Sequence, residues 1–207
     1  MPDDDVPSPI DFHDPAQARA WVEETIRNRP YRPRFFAAFA STLNQRFAKP
    51  IDILELGSGP GHLAEVILQR CTVRSYVALD FSAAMHALAR ARLVPFPDRV
   101  EFVERDFRIP GWGADLRKFD AVVTLQAAHE TRHKRHLVSF LGAARERLTD
   151  EGTLLYCDHY MEPGTGKNPD LMHERNAQPA ALHEAGFTHV NRILDEGGMA
   201  LYSAEKR

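Results

Sequence analysis

The chain has 207 residues, a net charge of −3 and 43% hydrophobic residues, which is typical of one globular domain with a buried core. This charge balance gives no domain-wide basic surface for a nucleic-acid backbone, and no apolar run reaches the ~18 residues of a membrane span. Two cysteines and no signal-peptide pattern favour a cytoplasmic protein. We expect a monomer or homodimer without membrane or nucleic-acid partners.

The first 50 residues predict an extension of two kinds. Residues 1–13 are acidic and proline-rich, which predicts a mobile tail. Residues 14–50 predict a helical cap. Asp14 and Pro15 have the types favoured at a helix start, and Ala18, Trp21, Val22 and Thr25/Ile26 share one face of this first helix. Pro33 is expected to open a second helix.

From residue 51 onward, short apolar runs alternate with amphipathic segments. We predict strands at 51–56, 73–80, 100–104, 119–125 and 153–158, helices between them including 134–148, a short helix at 179–185, and a hairpin of 188–194 with 199–204. The pattern predicts an α/β fold: a doubly wound, mostly parallel seven-stranded sheet with a C-terminal antiparallel hairpin. Residues 51–207 would form one compact unit with the cap.

A glycine-rich loop follows the first predicted strand. Residues 55–62 read Glu-Leu-Gly-Ser-Gly-Pro-Gly-His, with glycines spaced G-x-G-x-G. This spacing differs from the G-x-G-x-x-G of dinucleotide sites, and Pro60 removes an N–H that a pyrophosphate would use. A loop at 164–167, Gly-Thr-Gly-Lys, lacks the first glycine of a phosphate-binding P-loop.

The loop and four later motifs, in order, resemble the class I S-adenosylmethionine-dependent methyltransferases, which have a Rossmann-like fold. The later motifs are 78–82 with Asp80, 106–107, 119–123 and 148–154. The resemblance implies S-adenosylmethionine as cofactor, with Asp80 on the ribose, Asp106 beside the adenine and Glu55 near the amino group. The cofactor-binding residues it implies are Glu55, Gly57, Ser58, Gly59, Gly61, Asp80, Phe81, Met85, Asp106, Phe107 and Gln126.

Structural alternatives remain open for these residues. The glycines also suit a plain strand–helix turn, and Asp80 and Asp106 suit helix capping or turn formation. Phe81 and Met85 suit ordinary core packing as well as contact with an adenine.

A histidine-rich segment follows the fourth strand. His129-Glu130-x-x-His133 matches the zinc motif H-E-x-x-H, but the segment is predicted to straddle a loop, so no metal is expected. In the methyltransferase interpretation, His129 is the candidate general base and Glu130 orients it. The alternative, that His129 only packs and donates one hydrogen bond, stays open. Asp158 suits loop hydrogen bonding or substrate contact.

The expected function is methylation of a small organic acceptor at oxygen, nitrogen or carbon. The alternatives are a protein or RNA methyltransferase and a non-catalytic S-adenosylmethionine-binding regulatory protein. Tyr31 and Arg34, at the break between the predicted cap helices, could reach the cofactor carboxylate or an acidic substrate, or could face solvent.

Overall fold

The computed structural model describes residues 5–162 and 168–207, so the loop predicted at 164–167 lies outside the described residues. The helices are α1 (Pro15–Asn28), α2 (Arg32–Arg46), α3 (His62–Arg70), α4 (Ala83–Arg92), α5 (Leu137–Glu146) and α6 (Gln178–Glu184). The strands are β1 (Ile51–Leu56), β2 (Val73–Asp80), β3 (Val100–Glu104), β4 (Phe119–Leu125), β5 (Leu148–His159), β6 (Thr188–Glu196) and β7 (Met199–Glu205). Within these residues, no helix has the length and apolarity to cross a bilayer.

The strands form one seven-stranded sheet in the order β3-β2-β1-β4-β5-β7-β6. All neighbouring strands pair in parallel except β7, which is antiparallel to β5 and β6. The predicted fold class is therefore confirmed. Leu56 of β1 lies beside Leu79 of β2 and Thr124 of β4, so the carboxyl ends of these three strands meet at one edge of the sheet. This edge is where ligands bind in open α/β sheets.

Alternate residues of the central strands bury themselves on opposite faces of the sheet. Leu54 and Val122 pack with α5 and α6 on one face, whereas Ile53 and Val123 pack with α2 and α3 on the other. Because both faces are covered, these strands read in the sequence as continuous apolar runs.

Several predicted boundaries and contacts differ from the structure. Helix α5 begins at Leu137 instead of Lys134, because the side chain of His133 accepts a hydrogen bond from the Arg135 backbone N–H and residues 134–136 form a 3₁₀ turn. In α1, Asp14 caps the helix as predicted, with its carboxylate 2.8 Å from the N–H of Ala16. The buried face of α1 carries Thr25, however, and leaves Ile26 exposed.

Residues 5–13, here called the strap, make extensive contacts with the domain, whereas the sequence predicts a mobile tail over 1–13. The N–H of Val6 donates to the carbonyl of Arg132 at 2.8 Å, and the guanidinium of Arg132 donates to the carbonyls of Val6 and Pro7. Asp5 forms an ion pair with Arg135 at 2.8 Å. An acidic, proline-rich segment therefore finds its partners in the basic residues that follow β4.

Candidate active site

A cavity of about 650 Å³ lies at the carboxyl ends of β1, β2 and β4. Of the predicted cofactor-binding residues, all but Gly61 and Asp106 line it. The lining residues that the sequence analysis did not assign to this site are Phe12, Trp21, Arg32, Pro60, His62, Leu63, Leu125, Ala127 and Glu130.

The glycine loop brings the backbone close to its neighbours. Gly57 has φ +68°, and a Cβ added there would lie 2.2 Å from the Cβ of Ala127, which follows β4. The N–H groups of Gly57 and Ser58 both donate to the carbonyl of Leu79 in β2. Gly61 does not line the cavity, and a Cβ added there would lie 3.2 Å from the Cβ of Ala89 in α4. The loop thus needs glycine both for its turn and for close packing.

Asp80 ends β2 and faces the cavity with its carboxylate held by the backbone. One oxygen accepts from the N–H of Gly59 at 2.7 Å, and the other accepts from the N–H of Ser82 at 2.9 Å. Burial raises the pKa of Asp80 to about 6, although these two hydrogen bonds act in the opposite direction. The carboxylate of Asp80 therefore both holds the turn and lines the cavity, which are the two roles that the sequence left open.

Asp106, predicted to lie beside the adenine, does not line the main cavity but a space that adjoins it. Its carboxylate accepts from Nε and Nη2 of Arg108 at 2.9 and 2.6 Å. Burial opposes ionisation, but the contacts with Arg108 hold the pKa of Asp106 below its ordinary value. The residue lines a neighbouring cavity of about 530 Å³, together with Phe81 and Phe107.

Glu55 is a buried carboxyl group at the base of the cavity. It is 2% exposed, and the hydroxyl of Tyr76 donates to it at 2.8 Å. Burial raises the pKa of Glu55 to about 8, despite the opposing effect of this hydrogen bond. At neutral pH most molecules therefore carry Glu55 as the neutral acid.

Arg32 is the cation at this cavity, and the sequence analysis missed it. Its side chain is buried in the first turn of α2, and burial lowers its pKa to about 10. Tyr31 and Arg34, the neighbours considered instead, bind the carbonyl of Gly197 and the carboxylate of Glu196. The helical spacing of Arg32 with the buried Phe35 and Phe39 was the signal that could have identified it.

Three buried polar atoms that line this cavity have no hydrogen-bond partner among the described residues. They are Nε of Arg32, Oγ of Ser58 and Oε1 of Gln126. Gln126 also has a positive φ of 56°, a strained conformation for a residue with a side chain. Unpartnered buried groups are costly, so this cavity is built to receive a polar ligand.

A second cleft, of about 1,060 Å³, adjoins the first cavity and is here called the acceptor cleft. The two spaces share Phe12, Trp21, Gln126 and Glu130. The acceptor cleft is further lined by the strap, the end of α1, His129, Arg132, His159, Leu171 and Met172.

His129 lies at the wall of the acceptor cleft between two carboxylates. Its Nδ1 is 2.7 Å from Oδ1 of Asp158, and its Nε2 is 3.4 Å from Oε1 of Glu130. Burial alone would lower the pKa of His129, but Asp158 and Glu130 together raise it to about 10. The other oxygen of Glu130 binds Arg132 at 2.9 Å. At neutral pH the imidazole is therefore charged, and Asp158 holds it in place.

The H-E-x-x-H motif does not form one helical face. Residues 128–131 make a 3₁₀ turn, and Arg132, with φ +69°, ends it before His133. Across 5–162 and 168–207, no three histidine, cysteine or acidic side chains are arranged to hold a metal ion.

Comparisons with known proteins give a domain family and a fold. The family model of a methyltransferase domain matches residues 53–152. Solved structures with the same fold include an O-methyltransferase family protein from Burkholderia thailandensis (17% identity, TM-score 0.74, covering 93% of this chain and 60% of that one). Another is DhpI in its SAH complex (22% identity, TM-score 0.66, covering 92% of this chain and 94% of that one). A third is CurJ carbon methyltransferase (17% identity, TM-score 0.64, covering 77% of this chain and 49% of that one). No curated protein matches the chain.

The chain thus spans about half to three fifths of the length of two of these structures and nearly all of DhpI. At such low identities the structural likeness shows the fold alone. The identification of a methyltransferase domain comes from the match over residues 53–152.

Proposed function

We propose that the chain is a class I S-adenosylmethionine-dependent methyltransferase and that it methylates a small organic acceptor bound in the acceptor cleft. The observation that carries this proposal is the pair of adjoining spaces that share Phe12, Trp21, Gln126 and Glu130. One space suits the cofactor and the other suits the acceptor, so that the two reactants would meet at the shared wall.

The side chains of the first cavity, from here on called the cofactor cavity, match the charged, polar and apolar groups of S-adenosylmethionine. Arg32, with an unpartnered Nε, would bind the carboxylate, and Glu55 would ionise to bind the ammonium group. Asp80 would accept from the ribose hydroxyls, while Phe81, Met85 and Phe107 supply apolar surface for the adenine. When bound, this cofactor supplies a methyl group on a positively charged sulfur, which is already strongly electrophilic.

The role of the chain is then to position the acceptor, exclude water and take up a proton where the acceptor has one to lose. His129 would be the base. Its contact with Glu130 is the longer of its two, so an entering acceptor can replace Glu130 while Asp158 keeps the ring oriented. Loss of that carboxylate, and the positive charge of the cofactor, both lower the pKa of His129 and free Nε2 to accept a proton.

The walls of the acceptor cleft favour a small acceptor over a protein or RNA. Residues of the strap and Met172 contribute walls to the cleft, which narrows the space for an acceptor. His129, which lines the acceptor cleft and is held by Asp158, favours a catalyst over a non-catalytic binding protein.

Calorimetric titration with S-adenosylmethionine and with SAH tests the cofactor assignment. We expect one molecule of either ligand per chain, and no binding of NAD, which serves as a dinucleotide control. Absence of binding by both sulfur ligands would overturn the proposal. Transfer of a labelled methyl group to members of a small-molecule panel then tests the acceptor class.

A further inference from the structure

Arg29 is the one arginine on the wall of the acceptor cleft whose side chain has no partner among the described residues. His129 contacts Asp158 and Glu130, and Glu130 also binds Arg132. The carboxylate of Glu24 accepts from the side chain of Asn28 at 3.2 Å. Within the described part of the chain, the guanidinium of Arg29 has neither an ion pair nor a hydrogen bond, and it is partly buried at the end of α1.

The fold directs two cations toward the two adjoining spaces from a single break in the chain. Arg29 follows the last residue of α1, Arg32 begins α2, and the N–H of Arg32 donates to the carbonyl of Arg29 at 3.1 Å. Arg29 lines the acceptor cleft, whereas Arg32 lines the cofactor cavity. After burial, the charge of Arg29 is the largest cause that lowers the pKa of Arg32, so the two guanidiniums repel each other. An anion at each would relieve this repulsion.

The rest of the acceptor cleft is largely apolar. Ile10, Phe12, Trp21, Leu171 and Met172 supply hydrophobic surface around the polar groups near His129. A ligand that matches this wall has an apolar body, a nucleophilic atom near Gln126 and His129, and a negative charge near Arg29.

We infer that Arg29 binds a carboxylate of the acceptor, so that the substrate is a small organic acid with an apolar body; this inference rests on the proposed function. A guanidinium presents paired N–H donors that match the two oxygens of a carboxylate. Arg32 serves the cofactor in the same way, and each arginine therefore has its own anion. Arg29 is a specificity-determining residue and takes no part in the transfer itself.

The test uses SAH-saturated protein and matched pairs of small hydroxylated aromatic carboxylic acids and their carboxamides, which share a skeleton and differ in charge. Calorimetry should show that the acids bind more tightly than the amides. Arg29→Gln should weaken acid binding about tenfold or more, because a charge-assisted pair is lost, and should leave the amides and SAH unchanged. Arg29→Lys should retain part of the acid affinity.

Arg27→Gln is the matched control, since it removes one exposed positive charge from the same last turn of α1 without touching the cleft. It should change neither acid nor SAH affinity. Acids that bind no better than amides, acids that do not bind, or an Arg29→Gln variant with full acid affinity would each overturn this inference alone. Failure of the wild type to bind SAH would overturn the proposed function, and this inference with it.

Discussion

The cofactor cavity and the acceptor cleft are neighbours, but they are built in different ways. The cofactor cavity takes most of its wall from short segments that follow β1, β2 and β4, where the sequence carries compact motifs. The acceptor cleft is assembled from the strap, the end of α1, residues 126–132 and residues 171–172. Local motifs can therefore identify a cofactor, whereas the acceptor depends on contacts between segments that are far apart in the chain.

Two buried carboxyl groups also differ: Glu55 lines the cofactor cavity, whereas Asp158 contacts His129 on the wall of the acceptor cleft. Glu55 has an uncharged partner, Tyr76, and burial raises its pKa to about 8. Asp158 is also buried, but the adjacent His129 charge holds its pKa below the ordinary value. At neutral pH a proton is thus bound by the carboxyl group of Glu55 in the cofactor cavity and by the imidazole of His129 in the acceptor cleft. Four predictions test this contrast, beginning with the largest expected effect.

Replacement of His129 should act on turnover alone. We expect His129→Ala to lower the rate by about 10²–10⁴-fold, with SAH affinity unchanged, because a general base is lost from the acceptor side. The measurement is a full pH–rate profile with an identified acceptor. Since the base must be neutral, the wild-type kcat/KM, which reports the free enzyme, should rise with pH, and its acidic limb should lie above the ordinary histidine range.

Glu130→Gln removes one of the two carboxylates that raise the pKa of His129, so it should move this limb to lower pH. If His129→Ala keeps the wild-type rate and pH profile, His129 is a packing residue, and positioning of the acceptor is the mechanism.

Gly57 and Gly59 form a matched pair for the loop. Both have positive φ, but an added Cβ meets Ala127 at 2.2 Å from Gly57 and open space from Gly59. Gly57→Ala should lower the free energy of unfolding by about 2–4 kcal/mol, from overpacking plus backbone strain. Gly59→Ala should lose about 1–2 kcal/mol from strain alone. Denaturant unfolding measures both, and equal losses would show that contact with Ala127 is unimportant.

Asp80→Ala should weaken the cofactor cavity and spare the acceptor cleft. Loss of a charge-assisted hydrogen-bond acceptor should cost about 1.5–3 kcal/mol, which is about tenfold or more in SAH affinity. Calorimetry of the variant checks this value, with thermal unfolding as a control, because Asp80 also holds the N–H groups of Gly59 and Ser82. Unchanged SAH affinity would remove Asp80 from the binding site.

Glu55 gives the smallest and most specific effect. If a bound ammonium group ionises Glu55, SAH binding at pH 7 should release close to one proton, because a pKa of about 8 leaves the free protein mostly protonated. The release should fall toward zero above pH 9. Binding enthalpies in two buffers of different ionisation enthalpy measure it. Glu55→Gln should abolish the release, and a wild type that releases none would contradict this role.

The sequence predicted the fold and most of the cofactor cavity because both depend on local signals. The presence and order of the strands, the glycine turn and the position of Asp80 follow from neighbours in the chain, whereas β5 (Leu148–His159) is longer than the predicted 153–158. Arg32 was missed because an arginine at the start of a helix is usually exposed, although its helical spacing with Phe35 and Phe39 places it on the buried face of α2. The pairing of His129 with Asp158 joins residues 29 positions apart in the chain, so the sequence analysis proposed Glu130 to orient His129 and did not identify Asp158 as its partner.

The strap has a practical consequence for anyone who makes this protein. Phe12 forms part of both ligand spaces, and its carbonyl accepts from the hydroxyl of Ser82, which also caps α4. Removal of the strap would take Phe12 from the wall of each space and would remove the hydrogen bond between Ser82, at the start of α4, and the carbonyl of Phe12.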